Sequence, residues 1–477
     1  MKTKQLINLG LILAVISALV VVKQMQKPKE LATQEYTSLD LAFDDAKIAG
    51  VSIIKPQGKD EQYADVVKIG EAWKVKSILN ARADKSKIEE FLKELKAAKG
   101  ELRAKDKTLL KDFGIADDQA YQVTLKGADQ KILLDLRIAT KKAGRSIFIR
   151  RTGSDAIFMT PADVFGKMGV YGDPATEQIN NSFWADTSLV DVSPDKVEGI
   201  EITHYQKNKA MLHGGVIRQL SPKDASKKEW HFLREGIPFL PDAVKIKSFL
   251  DSFKSWRASA VLEPDKNKDY GFGKQEWTMT LRLEGDQIIT INAGTTEQEK
   301  HLTYMRVSSE PVVFQMASYF YENLDADDSR FFSDNPFEMD AAKTKSLIVN
   351  ADKKRWEVHP KEKTWDDLGK YLEDLKTMNI SRVLLQGDEL KKAKSPSRFF
   401  IEILKEGAVA PTILDFGEEV KDSPKEYALT LRGNHQPLAV SDYFYKKFFE
   451  ETTRLDAPKQ AEVESKKSEV GIKAAKP

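Results

Sequence analysis

Between residues 84 and 95 the chain reads DKSKIEEFLKEL, with Ile88, Phe91, Leu92 and Leu95 spaced i, i+3, i+4 and i+7. That spacing puts the four on one stripe of an amphipathic helix. The stripe returns in DAVKIKSFLDSF at 242–253, as Ile246, Phe249, Leu250 and Phe253, and in TWDDLGKYLEDL at 364–375, as Leu368, Tyr371, Leu372 and Leu375. Asp84, Asp242 and Thr364 open the three helices with side chains suited to N-capping. Period-two alternation marks strands in KILLDLRI, SIFIRR and AIFMT after the first helix, and in QIITINAG, LTYMRV and PVVFQM after the second.

The flanks of the helices repeat as well. FDDAKIAGVSI (43–53), VSPDKVEGIEI (192–202) and MDAAKTKSLIV (339–349) align without gaps, placing Lys47, Lys196 and Lys343 in register at separations of 149 and 147 residues. FWAD at 183–186 matches FFSD at 331–334, and Trp73, Trp230 and Trp356 each fall between an opening block and its helix. A period of about 148 residues is too long for a solenoid unit, so these are duplicated domains. Ile88, Ile246 and Leu368 are expected at one buried position in every copy. The three tryptophans are read as core residues, and Trp184 and Phe332 as packing the junctions between modules. The first two copies share an aspartate-aromatic-glycine turn, Asp112-Phe113-Gly114 and Asp269-Tyr270-Gly271, in which the aromatic packs and the glycine permits positive φ. The third copy lacks it.

The expected fold class is α+β: an N-terminal transmembrane helix followed by three duplicated modules, each an antiparallel sheet with helices packed on one face. The boundaries are a short cytoplasmic flank (1–5), an anchor (6–22), a linker (23–40), modules at 41–186, 187–334 and 335–456, and a disordered tail (457–477). The anchor is LINLGLILAVISALVVV, uncharged over 17 residues and apolar on every face, at the short end for a spanning helix. No small-residue cleavage pattern follows it, which favours an uncleaved anchor. A short flank before it and a long domain after it is the signal-anchor layout, which places the bulk of the chain outside the cytoplasm at a single-pass inner membrane.

Composition removes several classes of function. The 75 basic and 73 acidic residues are interspersed, which is no nucleic-acid footprint. The absence of cysteine excludes disulfides, thiolate metal sites and a cysteine nucleophile. Asp265, Asn267, Asp269 and Glu276 occupy positions 1, 3, 5 and 12 of a calcium loop, but Tyr270 stands where the loop needs glycine and lysines interleave the ligands. The segment is read as a surface turn, with no metal or cofactor expected. His204 and His213 flank a turn at generic spacing and are read as exposed hairpin residues. Asp112-Phe113-Gly114 lacks every companion motif of a kinase.

W-x-V before the D-x-x-K-I helix, the D-[FY]-G turn, a Y-x-R strand and the F-W-A-D join to K-V-x-x-I-x-I resemble the bacterial domain-of-unknown-function 4340 family (DUF4340). The resemblance covers most of the first two copies and the third only loosely. It implies one N-terminal membrane segment and an extracytoplasmic accessory role beside gliding-type ABC exporters, and it supplies no catalytic residues. The expected function is therefore a non-enzymatic, membrane-anchored scaffold of an ABC-type export complex. A glycan- or peptide-binding module is the alternative, and a carboxylate-dependent envelope hydrolase a weaker one.

Overall fold

The computed structural model describes residues 37–454 apart from 40, 56–61, 207–208, 223, 273–276, 321–326, 352–353, 362–371, 373, 379, 385–386, 396, 398, 423 and 435. The apolar run 6–22, the tail from 457, Leu368 and Glu276 lie outside the described residues. No helix among those described is long and apolar enough to cross a membrane.

The chain is mostly β, built on three antiparallel sheets. Each begins the same way. A single 3-10 turn, Asp45–Lys47, Pro194–Lys196 or Ala341–Lys343, runs directly into an opening strand, Ile48–Lys55, Val197–Gln206 or Thr344–Ala351. The lysines found in register are thus the last residues of three equivalent turns. Each opening strand then pairs with the strand that follows the module's helix, Tyr121–Gly127, Trp277–Leu283 or Phe399–Lys405, and each pairing is interrupted at its start, at Ile48/Gly50, Val197/Gly199 and Thr344/Ser346. A bulge inserts one residue and bends its strand. Finding it at one position three times supports duplication more strongly than a shared fold does.

From that second strand each sheet continues as a meander. In the first sheet it runs through Ile132–Ala143, Ser146–Arg151 and Ala156–Thr160; in the second through Ile288–Glu297, Leu302–Val307 and Val313–Ala317; in the third through Thr412–Asp422, Lys425–Leu431 and Leu438–Ser441. The amphipathic helices cover one face. Asp84 accepts from the Ser86 and Lys87 amides and caps Lys85–Ala97, whose Ile88, Phe91, Leu92 and Leu95 are all buried. Asp242 caps Ala243–Ser252 in the same way, burying Ile246, Phe249 and Leu250, with Phe253 buried in the 3-10 turn beyond. In the third copy Leu372 and Leu375 are buried.

The chain divides into two compact units, residues 1–187 with 260–263, and residues 188–259 with 264–477. The first holds the ten-stranded sheet. In the second, the core of the third sheet is continuous with side chains of the second module: Phe232, Ile237 and Phe239 pack on a cluster containing Phe332, Phe337, Met339, Leu347 and Phe399. Phe239 meets Phe332 and Phe337 edge-on at 5.0 and 5.7 Å.

Two expectations change. Helices do not keep to one face in the third module. Its helix Gly387–Ala393 packs on strand Thr412–Asp422 beside Leu384, Val420, Ala428 and Ala439. Strand alternation places that cluster opposite the main core, which takes Leu429 and Leu438. Trp356 is also displaced. Trp73 and Trp230 lie on the third strand of an opening meander, opposite Lys68 and Arg218, whereas Trp356 lies on the second, opposite Val349. Among the described residues, the third module opens with two strands where the second has three and the first has three followed by the two-residue strand Ala81–Arg82.

Candidate functional site

One row of residues with chemistry lies on the sheet face turned away from the amphipathic helix. In the first two modules the aspartate-aromatic-glycine turn packs there. Gly114 and Gly271 have φ of 64° and 76°, as the sequence required, and Phe113 meets Phe148 edge-on at 4.8 Å while Tyr270 meets Tyr304 at 5.1 Å. Phe148 and Tyr304 occupy the same register position, two residues before Arg150 and Arg306. The close approach depends on Gly294, where a Cβ would lie 2.0 Å from the Tyr270 carbonyl oxygen. In the third module the equivalent of Tyr304 is Ala428, and the space its small side chain leaves is taken by the helix Gly387–Ala393.

One row across this face differs in all three copies. The pairings are Gln122–Arg137–Arg150 in the first module, Thr278–Asn292–Arg306 in the second and Phe400–Asp415–Thr430 in the third. Arg150, almost fully buried, spends its guanidinium on its own chain. Nε donates to the Ile115 carbonyl at 3.1 Å, Nη1 to the carbonyls of Arg151 and Ser154 at 3.4 and 3.3 Å, and Nη2 to the Asp117 carboxylate at 2.5 Å. In the third module Arg432, two residues along the strand from Thr430, stacks 4.8 Å over Phe400 and makes a two-point pair with Asp415 at 2.6 and 3.0 Å. That pair lines a cleft of about 470 Å³ together with Ser395, Ser397 and Thr430.

In the second module the Arg306 guanidinium lies 5.0 Å over the ring of Phe272 and meets no hydrogen-bond acceptor among the described residues. It lines a cleft of about 460 Å³ walled by Pro264, Tyr270, Phe272, Pro311 and Val312, with Asn292 beside it. The Asn292 Oδ1 accepts from the Thr278 hydroxyl at 2.9 Å, which leaves its Nδ2 as a second donor on the wall. Glu310, on the same wall, has a partner of its own.

The calcium-like segment is a set of capped turns. Asp265 accepts from the Asn267 amide and Asp269 from the Gly271 amide, both at 2.8 Å. Of the lysines in this segment, Lys268 turns back onto the sheet, where its ammonium donates to the Tyr304 hydroxyl at 2.6 Å and to Glu297 at 3.0 Å, and lies 4.2 Å from the Tyr304 ring centre. Lys300, then Lys268, hold the half-buried Glu297 carboxyl down at about 2. Among the described residues no three His, Asp or Glu side chains converge as a metal site.

The histidine pair differs from its expected exposure. His204 and His213 are half-buried around the buried Trp277, His204 stacked at 4.1 Å and 11°, and His213 edge-on at 4.6 Å, with 6.0 Å between the imidazoles. Sequence spacing could not show this, because Trp277 arrives from the next strand, opposite His204. Lys55 is a buried ammonium that donates to the Glu177 carbonyl at 2.5 Å, while the Tyr121 hydroxyl donates to the Pro174 carbonyl at 3.1 Å. Burial pushes Lys55 down and Tyr121 up. Together they pin residues 174–177 to the first sheet.

The residues named at the junctions close the modules' own helices. Trp184 is fully buried, edge-on to Phe91 at 5.5 Å, and its carbonyl accepts from the Asp84 amide at 2.8 Å; the Phe331 carbonyl accepts from the Asp242 amide at the same distance. Phe332 is buried in the cluster joining the second and third modules. Trp230 is buried beneath the Arg218 guanidinium, 4.8 Å away, whereas Trp73 and Trp356 are half-buried.

Among curated proteins and among solved structures, none matches the chain. The family model for a domain of unknown function, DUF4340, matches it twice, over residues 73–275 and 233–397. The second match starts inside the second module and runs into the third, so the family's pattern follows the internal duplication. With these matches spanning more than half of its length, the chain belongs to the DUF4340 family.

Proposed function

We propose that this protein is a non-enzymatic scaffold, held at the inner membrane by the apolar run 6–22, that displays its modules outside the cytoplasm as an accessory of an ABC-type export complex. The observation that supports the reading is the aromatic junction in the second unit. Phe232, Phe239, Phe332 and Phe337 make the second and third modules share one hydrophobic cluster, and a large apolar interface suppresses the relative motion expected of modules on a flexible linker. A rigid pair of modules on a membrane tether suits the presentation of surfaces at fixed spacing. The exporter as partner comes from the family resemblance, and the anchor from the sequence.

Affinity purification of the detergent-solubilised full-length chain from its own membranes tests this. Integral subunits of an exporter are expected to co-purify, and deletion of residues 1–22 is expected to release the chain from the membrane fraction and lose them. Recovery of the full-length chain in the soluble fraction, or co-purification unchanged by the deletion, would sink the reading.

A further inference from the structure

The three modules answer one physical question in different ways: what neutralises an arginine on the second sheet face. The first module uses its own Asp117 on Arg150, and the third its own Asp415 on Arg432. In the second module Arg306 stands at the register position of Arg150 with no acceptor among the described residues, at the wall of a largely apolar cleft. Asp117 lies three residues after the turn glycine Gly114, and three residues after the equivalent Gly271 comes Lys274, a cation.

We infer that the cleft of the second module is a binding site for an extended peptide segment of a partner, in which an acidic side chain pairs with Arg306 and an apolar neighbour enters the cleft. The first module indicates the occupant. There the arginine holds Ile115-Ala116-Asp117, a carbonyl and a carboxylate from one short stretch of chain. A planar guanidinium accepts a carboxylate through parallel hydrogen bonds that a lysine cannot match. Phe272 under Arg306 fixes the plane of the fork before the ligand arrives, and Asn292 offers a further donor. Tyr270, Pro264, Pro311 and Val312 give the apolar side chain its contact. A cleft of this size, mostly apolar with a few converging polar groups, has the character of a ligand site. The inference goes beyond the scaffold reading and stands without the anchor or the exporter.

The test is isothermal titration of the detergent-solubilised full-length chain with three probes: acetyl-Ile-Ala-Asp-amide, the same peptide with Asn in place of Asp, and octanoate. The Asp peptide is expected to bind saturably at millimolar concentration. Its Asn counterpart, and the Asp peptide on Arg306→Gln, are expected to bind at least about tenfold more weakly, the scale of one charge-assisted pair. Arg306 is exposed, and an unchanged melting temperature would show that the variant folds; if it does not, the Asp/Asn comparison on the unaltered chain decides alone. Equal binding of the two peptides, no saturable binding of the Asp peptide, or binding of it unaffected in a folded Arg306→Gln protein would each overturn the inference. Arg306-dependent binding of octanoate without the peptide would overturn it in favour of a lipid carboxylate.

Discussion

The buried ion pair at the entrance to the third module makes the sharpest energetic prediction. Asp328, 1% exposed, opens the 3-10 turn Asp328–Phe331 and accepts from Arg234 Nε at 2.6 Å and from the Gly215 amide at 3.0 Å; Arg234 Nη2 donates onward to the Leu212 carbonyl at 2.6 Å. Replacing Asp328 by Ala leaves a guanidinium and a backbone N–H without their acceptor in a dry site. Breaking a buried pair in this way costs about 3–5 kcal/mol, which for a unit of this size lowers the melting temperature by roughly 5–8 °C. Removing both charges, as Asp328→Leu with Arg234→Met, is expected to restore stability to within about 1 kcal/mol of the original or above it, because no uncompensated ion remains. The pH dependence carries a defined sign. Burial, the largest effect, raises the Asp328 carboxyl above its unfolded value against the opposing pull of Arg234 and the Gly215 amide. The folded state therefore holds its proton more tightly. Its contribution is complete below the unfolded carboxyl range and is lost as pH rises through the folded value. Asp328→Asn is expected to remove that component. Denaturation of the full-length chain in detergent across this pH range, followed by tryptophan fluorescence, measures all of these. A single substitution costing less than about 1 kcal/mol, or a double variant as weak as the single one, would refute the assignment of a desolvated pair.

Three further outcomes are expected. Ile246→Ala and Ile88→Ala, each emptying a fully buried helix position, are expected to cost about 2–5 kcal/mol by urea denaturation, and an unchanged midpoint in either would remove that side chain from the core. Gly294→Ala puts a methyl group 2.0 Å from the Tyr270 carbonyl and is expected to break the 2.8 Å bond from the Thr295 amide to that carbonyl, so the Thr295 amide should exchange with solvent faster; unaltered protection would show that the turn does not rest on the glycine. Chelator is expected to leave the melting temperature unchanged, since the Asp265 and Asp269 carboxylates are engaged as turn caps, and a fall of several degrees would reveal a cation bound only by the native state.

What the sequence disclosed was the local part of the structure. A helix stripe is a spacing within twelve residues, so Ile88, Phe91, Leu92 and Leu95 could be placed on a buried face before any fold was known. A turn glycine is equally local, and Gly114 and Gly271 carry the positive φ that their place in the repeat required. Cross-strand partners are a different matter. His204 meets Trp277 through a pairing 73 residues away, and Trp356 shifted by one strand while keeping its place before the helix, because strand order is not written in spacing. The arginine row had a visible signal in FIR at 148–150 and YMR at 304–306. Pattern alone gave it only as the outward positions of a strand, since the identity of its partners depends on the turn folding back over the sheet.

The two faces of these sheets have diverged under different physical constraints. On the core face each copy must fill the same volume. A lost side chain leaves a cavity that costs several kcal/mol, and Ile88 and Ile246 accordingly remain branched aliphatics of one size. The second face is only partly removed from water, and at its exposed positions most substitutions change stability by less than about 0.5 kcal/mol. That freedom permits the turn of the first two modules to give way to a helix over Ala428 in the third, and one arginine position to be satisfied, replaced or left open. An open arginine above an aromatic ring is costly only if it must be buried without a partner. At the rim of a solvated cleft it can remain hydrated until a carboxylate displaces the water. Duplication therefore supplies a stable frame three times over, while the face that frame does not need is the one on which recognition can be built.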